Sequence, residues 1–198
     1  ISENKSKSWV NITDSKNKIE YEYSTGERLI QFFNNIGQLQ GEVIKDRLGQ
    51  VQYYEAVIFN ENNKIAMTYN NEGNFSRFKY DSRGRLVCEE KNYRQTLYEA
   101  ELAELISCGG FEPAANIALP KMNLSDNEYY EINIICRLMD VKFNPIDLKE
   151  VWTIEYDYTL TGSLKQKKSP LGTIVYEYDE KDRPVKKHTT ETNDFGIT

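Results

Sequence analysis

Thirty-one carboxylates and a single histidine set the limits of the chemistry open to this 198-residue chain. A Ser–His or Cys–His nucleophilic pair would have to use His188, in Lys186-Lys187-His188. No companion motif accompanies it, so His188 reads as a surface or edge residue on a late strand. The three cysteines, Cys88, Cys108 and Cys136, contain no C-x-x-C. With one histidine they make no zinc set, and an odd number suits free, mostly buried thiols better than a disulfide framework. Ser125-Asp126-Asn127-Glu128 lacks the spaced ligands and central Gly of a calcium loop. No G-x-x-x-x-G-K-[ST] or G-x-G-x-x-G loop occurs. Paired carboxylates could hydrolyse a glycoside, but among so many Asp and Glu the sequence selects no pair. The expectation is therefore a chain with no catalytic set, no metal and no cofactor.

What remains is binding. The net charge is −6 and the pI about 5.1. That disfavours nucleic acid, which needs a basic surface, and suits a basic protein partner. No apolar run approaches the roughly 18 residues of a membrane helix. Aromatic residues make up 12 % of the chain, 14 of them Tyr. In a strand, one member of Tyr53-Tyr54 and one of Tyr129-Tyr130 faces the core while the other faces out, and the outward member is a binding candidate. Glu99, Glu101 and Glu104 complete the candidate set as an acidic patch turned away from an apolar helix face.

The elements that would position these residues follow from a repeat. A seven-residue frame places an aromatic first, then Asn or Asp, Gly fifth and an aliphatic last. Tyr80-Asp81-Ser82-Arg83-Gly84-Arg85-Leu86 fits throughout, as does Phe33-Asn34-Asn35-Ile36-Gly37-Gln38-Leu39. Tyr69-Asn70 leads to Gly73 and Phe75. Eroded copies start at 13, 23, 45 and 59, and again at 158, 168 and 178, so the unit is about ten residues. Asn or Asp opens a turn by bonding its own backbone, and Gly, or Asn in its place, tolerates the positive φ at which the turn closes. About six residues remain between turns, the length of one strand. Successive hairpins in an antiparallel meander are the expectation.

Alternation supports strands with one dry face: Ile19, Tyr21 and Tyr23 alternate with Lys18, Glu20 and Glu22, and Ile65, Met67 and Tyr69 with Lys64, Ala66 and Thr68. Ile174, Tyr176 and Tyr178 form a third such set. Leu164, Gln166 and Lys168 break the pattern, which predicts an edge strand. Residues 92–150 interrupt the repeat. Asn92 and Gln95 read as a helix cap, Tyr98, Leu102, Leu105 and Ile106 as an apolar helix face, and Gly109-Gly110 as its end. Beyond Pro113 and Pro120, residues 129–143 and 151–158 read as strands. The fold expected is a single domain, mainly β. It comprises hairpins over 13–91, a helix-bearing insert over 92–150 and hairpins over 151–198. The sheet is curled or folded into a sandwich, with one α-helix over its apolar face.

Tyr80-Asp81-x-x-Gly84-Arg85-Leu86 and Tyr178-Asp179-x-x-Asp182-Arg183-Pro184-Val185 resemble the YD repeat of RHS proteins. The repeat also has a loose likeness to the strand–turn–Gly units of MORN-type repeats, found in small protein-binding modules. The RHS resemblance covers roughly 13–90 and 151–190. It implies hairpins of the kind that wind into shells around toxin cargo, in proteins of bacterial competition and of cell surfaces. The helical insert and the small number of turns depart from a shell. These features lead to a non-catalytic protein-binding module, in its specific form an immunity protein neutralising a cognate, basic toxin. The alternatives are a secreted or surface-attached repeat protein binding glycan or protein, and a fragment of an RHS shell. An enzyme ranks last. Compartment follows function: cytoplasmic for an immunity protein, periplasmic or cell-surface if a signal peptide preceded Ile1.

Overall fold

The computed structural model describes residues 9–92, 94–108, 119, 123–143 and 151–190. Twelve strands form one antiparallel sheet in chain order, and the sheet is not closed. The strands are β1 (Trp9–Ser15), β2 (Lys18–Tyr23), β3 (Arg28–Phe33), β4 (Leu39–Lys45), β5 (Val51–Phe59) and β6 (Ile65–Asn70). β7 (Phe75–Tyr80) and β8 (Leu86–Lys91) precede two helices, α1 (Arg94–Ser107) and α2 (Asp126–Leu138). β9 (Trp152–Tyr158), β10 (Leu164–Lys168), β11 (Thr173–Tyr178) and β12 (Pro184–Thr190) follow.

The turn frame is the device that makes these hairpins. At Asp81 the backbone N–H donates to the Arg85 carbonyl at 2.9 Å, and Gly84 N–H donates back to Asp81 at 2.9 Å. The Asp81 carboxylate accepts from the N–H groups of Arg83 and Arg85. The same set recurs at Asn34, Asp46, Asn60, Asn70 and Asp179. The fourth turn residue always has positive φ, and where it is not Gly, Asn63 and Asp182 take φ 59°. At Tyr23 the turn starts on the tyrosine itself, which is why Gly26 comes one place early. Two eroded copies are different turns: Ser15 stands opposite Lys18, and Ser169 and Gly172 exchange bonds, leaving two-residue loops.

Backbone contacts divide the chain into two compact units, residues 1–75 with 124–147, and residues 76–123 with 148–198. The insert therefore supplies one helix to each, where one helix in all was expected.

In the first unit α2 replaces the strand expected over 129–143. Ser125 caps it: the Glu128 N–H donates to Ser125 Oγ at 3.3 Å while Ser125 N–H donates to the Glu128 carboxylate at 2.7 Å. Asp140 at φ 55° and bonds from Asp140 and Val141 to the Arg137 and Cys136 carbonyls end it in a Schellman turn. Ile132, Cys136 and Met139, spaced four and three apart, are buried. The helix packs on β4 and β5, where Val43, Tyr54, Ala56 and Ile58 are buried. The β-branched Ile run of this segment suggests a strand, yet its apolar spacing is helical, and packing decides. Gly41 is what lets the helix close on β4: a Cβ there would stand 2.6 Å from Met139 Sδ.

In the second unit Leu105 of α1 packs with Trp152, Ile154, Leu171 and Ile174, and Leu102, Leu119 and Tyr176 pack around them. The helix covers the apolar face there, as expected. Ile106 departs from the expected helix face, being 56 % exposed, because the inward stripe runs through Glu101, Leu105 and Cys108. β10 is not an edge strand; it lies between β9 and β11. Its broken pattern has another cause, since Lys167 turns inward under α1 and is paired there. The Gln95 side chain of the cap expected with Asn92, the end expected at Gly109-Gly110 and the Tyr98 side chain lie outside the described residues.

Candidate functional site

The register of the first unit separates two faces. Glu20, Ile30, Val43 and Tyr54 stand opposite one another in a row. Ile30, Val43 and Tyr54 are buried, so this is the α2 face. Tyr21, Leu29, Ile44 and Tyr53 form a row on the other face. The dry face predicted for β2 is thus the opposite of the one α2 covers. On the α2 side β2 instead presents Glu20, held by Lys18 at 3.1 Å and by Arg28 at 3.3 Å. This charged border ends the buried core toward the β1 end of the sheet.

The face away from α2 is half-buried, aromatic and acidic. Next to the Tyr21–Leu29–Ile44–Tyr53 row runs a second row, Ile19, Gln31, Glu42, Glu55 and Asn70. Glu42 and Glu55 stand directly across from one another. The Gln31 amide donates to Glu42 at 2.9 Å. Among the described residues no Lys or Arg pairs with either carboxylate. Burial, and then the negative charge of Glu42, push the Glu55 carboxyl above the usual carboxylate range. Burial likewise raises the Tyr53 hydroxyl, with Glu55 adding to it. The charge balance of the unit agrees. Residues 9–75 and 124–143 carry 13 Asp and Glu against 8 Lys and Arg, a balance of −5. The described residues from 76 onward, excluding 124–143, carry 12 against 13, or +1.

The residues singled out from the sequence part company here. Tyr53 lies on this open face. Tyr54 is 4 % exposed; its ring lies 6.0 Å from Tyr69 and its hydroxyl donates to the Lys142 carbonyl. Tyr129 packs on Phe143 at 5.7 Å. Tyr130, 65 % exposed, forms an outer stripe on α2 with Ile134 and Leu138. Glu99 is exposed on α1. Glu101 and Glu104 do not face away from the sheet as expected, but bind Lys167 from either side at 2.7 and 2.6 Å. Glu104 also takes a bond from Lys187 at 3.1 Å and from the Tyr176 hydroxyl at 3.3 Å. Burial pushes Glu104 up, but the bonds from Lys167 and Lys187 outweigh it and hold the carboxyl low. Both glutamates are thus engaged in holding Lys167 beneath α1.

A groove of about 260 Å³ also opens between α2 and the strands, lined by Asn34, Gln40, Val57, Phe59, Glu131 and Ile134. It is smaller than the roughly 300–1,000 Å³ of an enclosing small-molecule site. No three His, Cys, Asp or Glu among the described residues are placed to hold a metal ion. No described helix is long and apolar enough to cross a membrane. His188 lies on β12, its Nδ1 3.5 Å from Glu177.

No family model matches the chain. No curated protein matches its sequence. Among solved structures it is similar to a porin-like protein from Bacteroides uniformis, at a TM-score of 0.29 and 11 % identity, over 90 % of this chain and 73 % of that one. A likeness at that score bears on neither the fold nor the function.

Glu42, Glu55, Tyr21 and Ile44 were not legible as a set. The one nearby signal in the sequence, the Asp46–Gln50 turn, gives the wrong β4–β5 register when counted outward, because the pairing shifts between Ile44 and Lys45.

Proposed function

We propose that this chain is a non-catalytic protein-binding module, and that the open face of β2–β6 docks a basic protein. One observation carries the reading. An aromatic and aliphatic row lies beside two directly opposed carboxylates, on a sheet face that α2 leaves uncovered. Apolar rows with aromatic anchors supply contact energy, and unmatched charge selects the sign of the partner. The excess of acid in this unit supports the same choice. In its specific form the module is an immunity-type inhibitor that neutralises a cognate bacterial toxin, consistent with the YD-like turns and the acidic balance.

Affinity capture from lysate of the native host tests the reading. Wild-type chain is expected to retain a basic protein that Tyr53→Ser loses. Co-expression with that protein is expected to abolish its toxicity. Recovery of no protein, or equal recovery by both chains, would count against the docking face. A captured protein that is harmless alone would sink the immunity form.

A further inference from the structure

The open face of the second unit obeys a rule that the first unit breaks. On the strand face away from α1, charges across neighbouring strands are opposite: Arg77 faces Glu90, Glu155 faces Lys168, and Glu177 faces Lys186. Each forms an ion pair, at 2.9, 3.8 and 3.6 Å. On the open face of the first unit the equivalent cross-strand position holds Glu42 against Glu55, with only the neutral Gln31 amide bonded to Glu42. Like charges placed directly opposite destabilise a sheet. A face that repels itself when empty is matched when a cation lies between the two carboxylates.

The neighbours narrow the cation. Tyr53 is two residues from Glu55 on the same face, and Ile44 two from Glu42, so an aromatic ring and an aliphatic surface border the pair. An ammonium would meet the carboxylates as a strongly hydrated point charge. A guanidinium is planar, weakly hydrated, donates to two carboxylates at once and stacks on an aromatic ring.

We propose that the open face of β2–β6 docks an arginine-bearing segment of the protein partner, its guanidinium bridging Glu42 and Glu55 beside the Tyr53 ring and its flanking apolar residues lying on Ile44, Leu29 and Tyr21. This rests on the docking face argued above and adds which side chain of the partner it recognises.

The probe is a fluorescent Val-Arg-Val-Arg-Val-Arg amide, with lysine and citrulline versions, read by anisotropy at about 150 mM salt, where exposed charges are screened within ~8 Å. The arginine peptide is expected to bind. Glu42→Gln/Glu55→Gln should weaken it at least tenfold. Glu22→Gln/Glu61→Gln, which removes the same charge from exposed positions, should leave it within twofold. The lysine and citrulline peptides should bind at least fivefold and tenfold more weakly. No measurable binding, equal loss in both double variants, or equal binding of the three peptides would overturn the proposal. If the captured basic protein still binds Glu42→Gln/Glu55→Gln undiminished, the docking module stands and the arginine seat falls.

Discussion

The two units are made from the same strand-and-turn repeat and handle charge in opposite ways. In the second, charge is inside and balanced. Lys167, its side chain 13 % exposed, sits between Glu101 and Glu104 beneath α1, and Glu89 accepts from Tyr156 at 3.0 Å while pairing with Lys91. In the first, the helix-covered face is apolar, and the unmatched charge lies outside on Glu42 and Glu55. The turns fix strand length and spacing in both, because the Asx bonds and the positive-φ residue are all that the frame demands. The faces between turns are free to diverge. One unit uses that freedom to attach its helix by ions, and the other keeps an unmatched face available.

The largest expected effect tests the ionic attachment. Lys167→Met leaves Glu101, whose side chain is 7 % exposed, buried without its cation. Breaking a buried pair from one side costs about 3–5 kcal/mol, whereas replacing both partners by apolar groups is close to neutral. The expected result is a large fall in the urea midpoint, mostly restored when Glu101→Leu is added to Lys167→Met. The pH dependence has two limits. Burial pushes Lys167 down, but Glu101 and Glu104 raise it above the ordinary lysine value, so its contribution is complete below the unfolded pKa and is lost as pH rises through the folded one. Glu104 is held low, so its contribution is complete above the unfolded pKa and lost as pH falls through the folded one. Wild type should therefore lose stability at both extremes relative to the double variant. Parallel pH curves would remove the ionic side of the comparison.

The next effect tests the apolar attachment of α2. Gly41→Ala places a methyl 2.6 Å from Met139 Sδ, in a core where Met139 is 1 % exposed. Overpacking of this kind costs about 1–3 kcal/mol, the lower end applying if the flexible Met139 side chain can turn aside. Loss by thermal denaturation should be nearly the same at low and high salt, since no charge is involved. An unchanged melting temperature would mean that α2 does not depend on its close approach to β4.

Much of the repeat was legible in the sequence, because turn chemistry is local. Asp81, Asn34 and Asp179 needed only their own backbone to declare a turn, and Gly37 or Gly84 its closing residue. The second helix was not seen, although Ser125-x-x-Glu128 carries a capping box. The Ile-rich run that follows resembles a strand until the burial of Ile132, Cys136 and Met139 selects the helical spacing. The open face was hidden for a sharper reason. Counting outward from the Asp46–Gln50 turn without interruption puts Glu42 opposite Tyr54. The register shift between Ile44 and Lys45 moves it opposite Glu55 and moves Tyr54 into the core. One displaced residue reverses the faces of a strand. The inward place of Lys167 was hidden for a related reason: its partners lie on α1, 66 and 63 residues away, and no local pattern marks a charge destined for the inside.

The smallest effect separates the two open faces by sign. Glu55→Gln removes half of an unmatched like-charge pair and should stabilise the free chain, by about 0.2–1 kcal/mol for cross-strand charges and toward the lower figure because the site is half in water. Glu90→Gln removes the shared partner of Arg77 and Lys79, both at 2.9 Å, and should destabilise. The Glu55 gain should depend on pH in a fixed direction. Its folded pKa is raised, so its penalty is complete above that value and disappears as pH falls to the unfolded one. Glu55→Gln should thus raise the melting temperature at pH 7 and change it little at pH 3, while Glu90→Gln lowers it at pH 7. If both variants shift stability in the same direction at pH 7, the two open faces do not differ in charge matching, and the case for an arginine seat loses its physical ground.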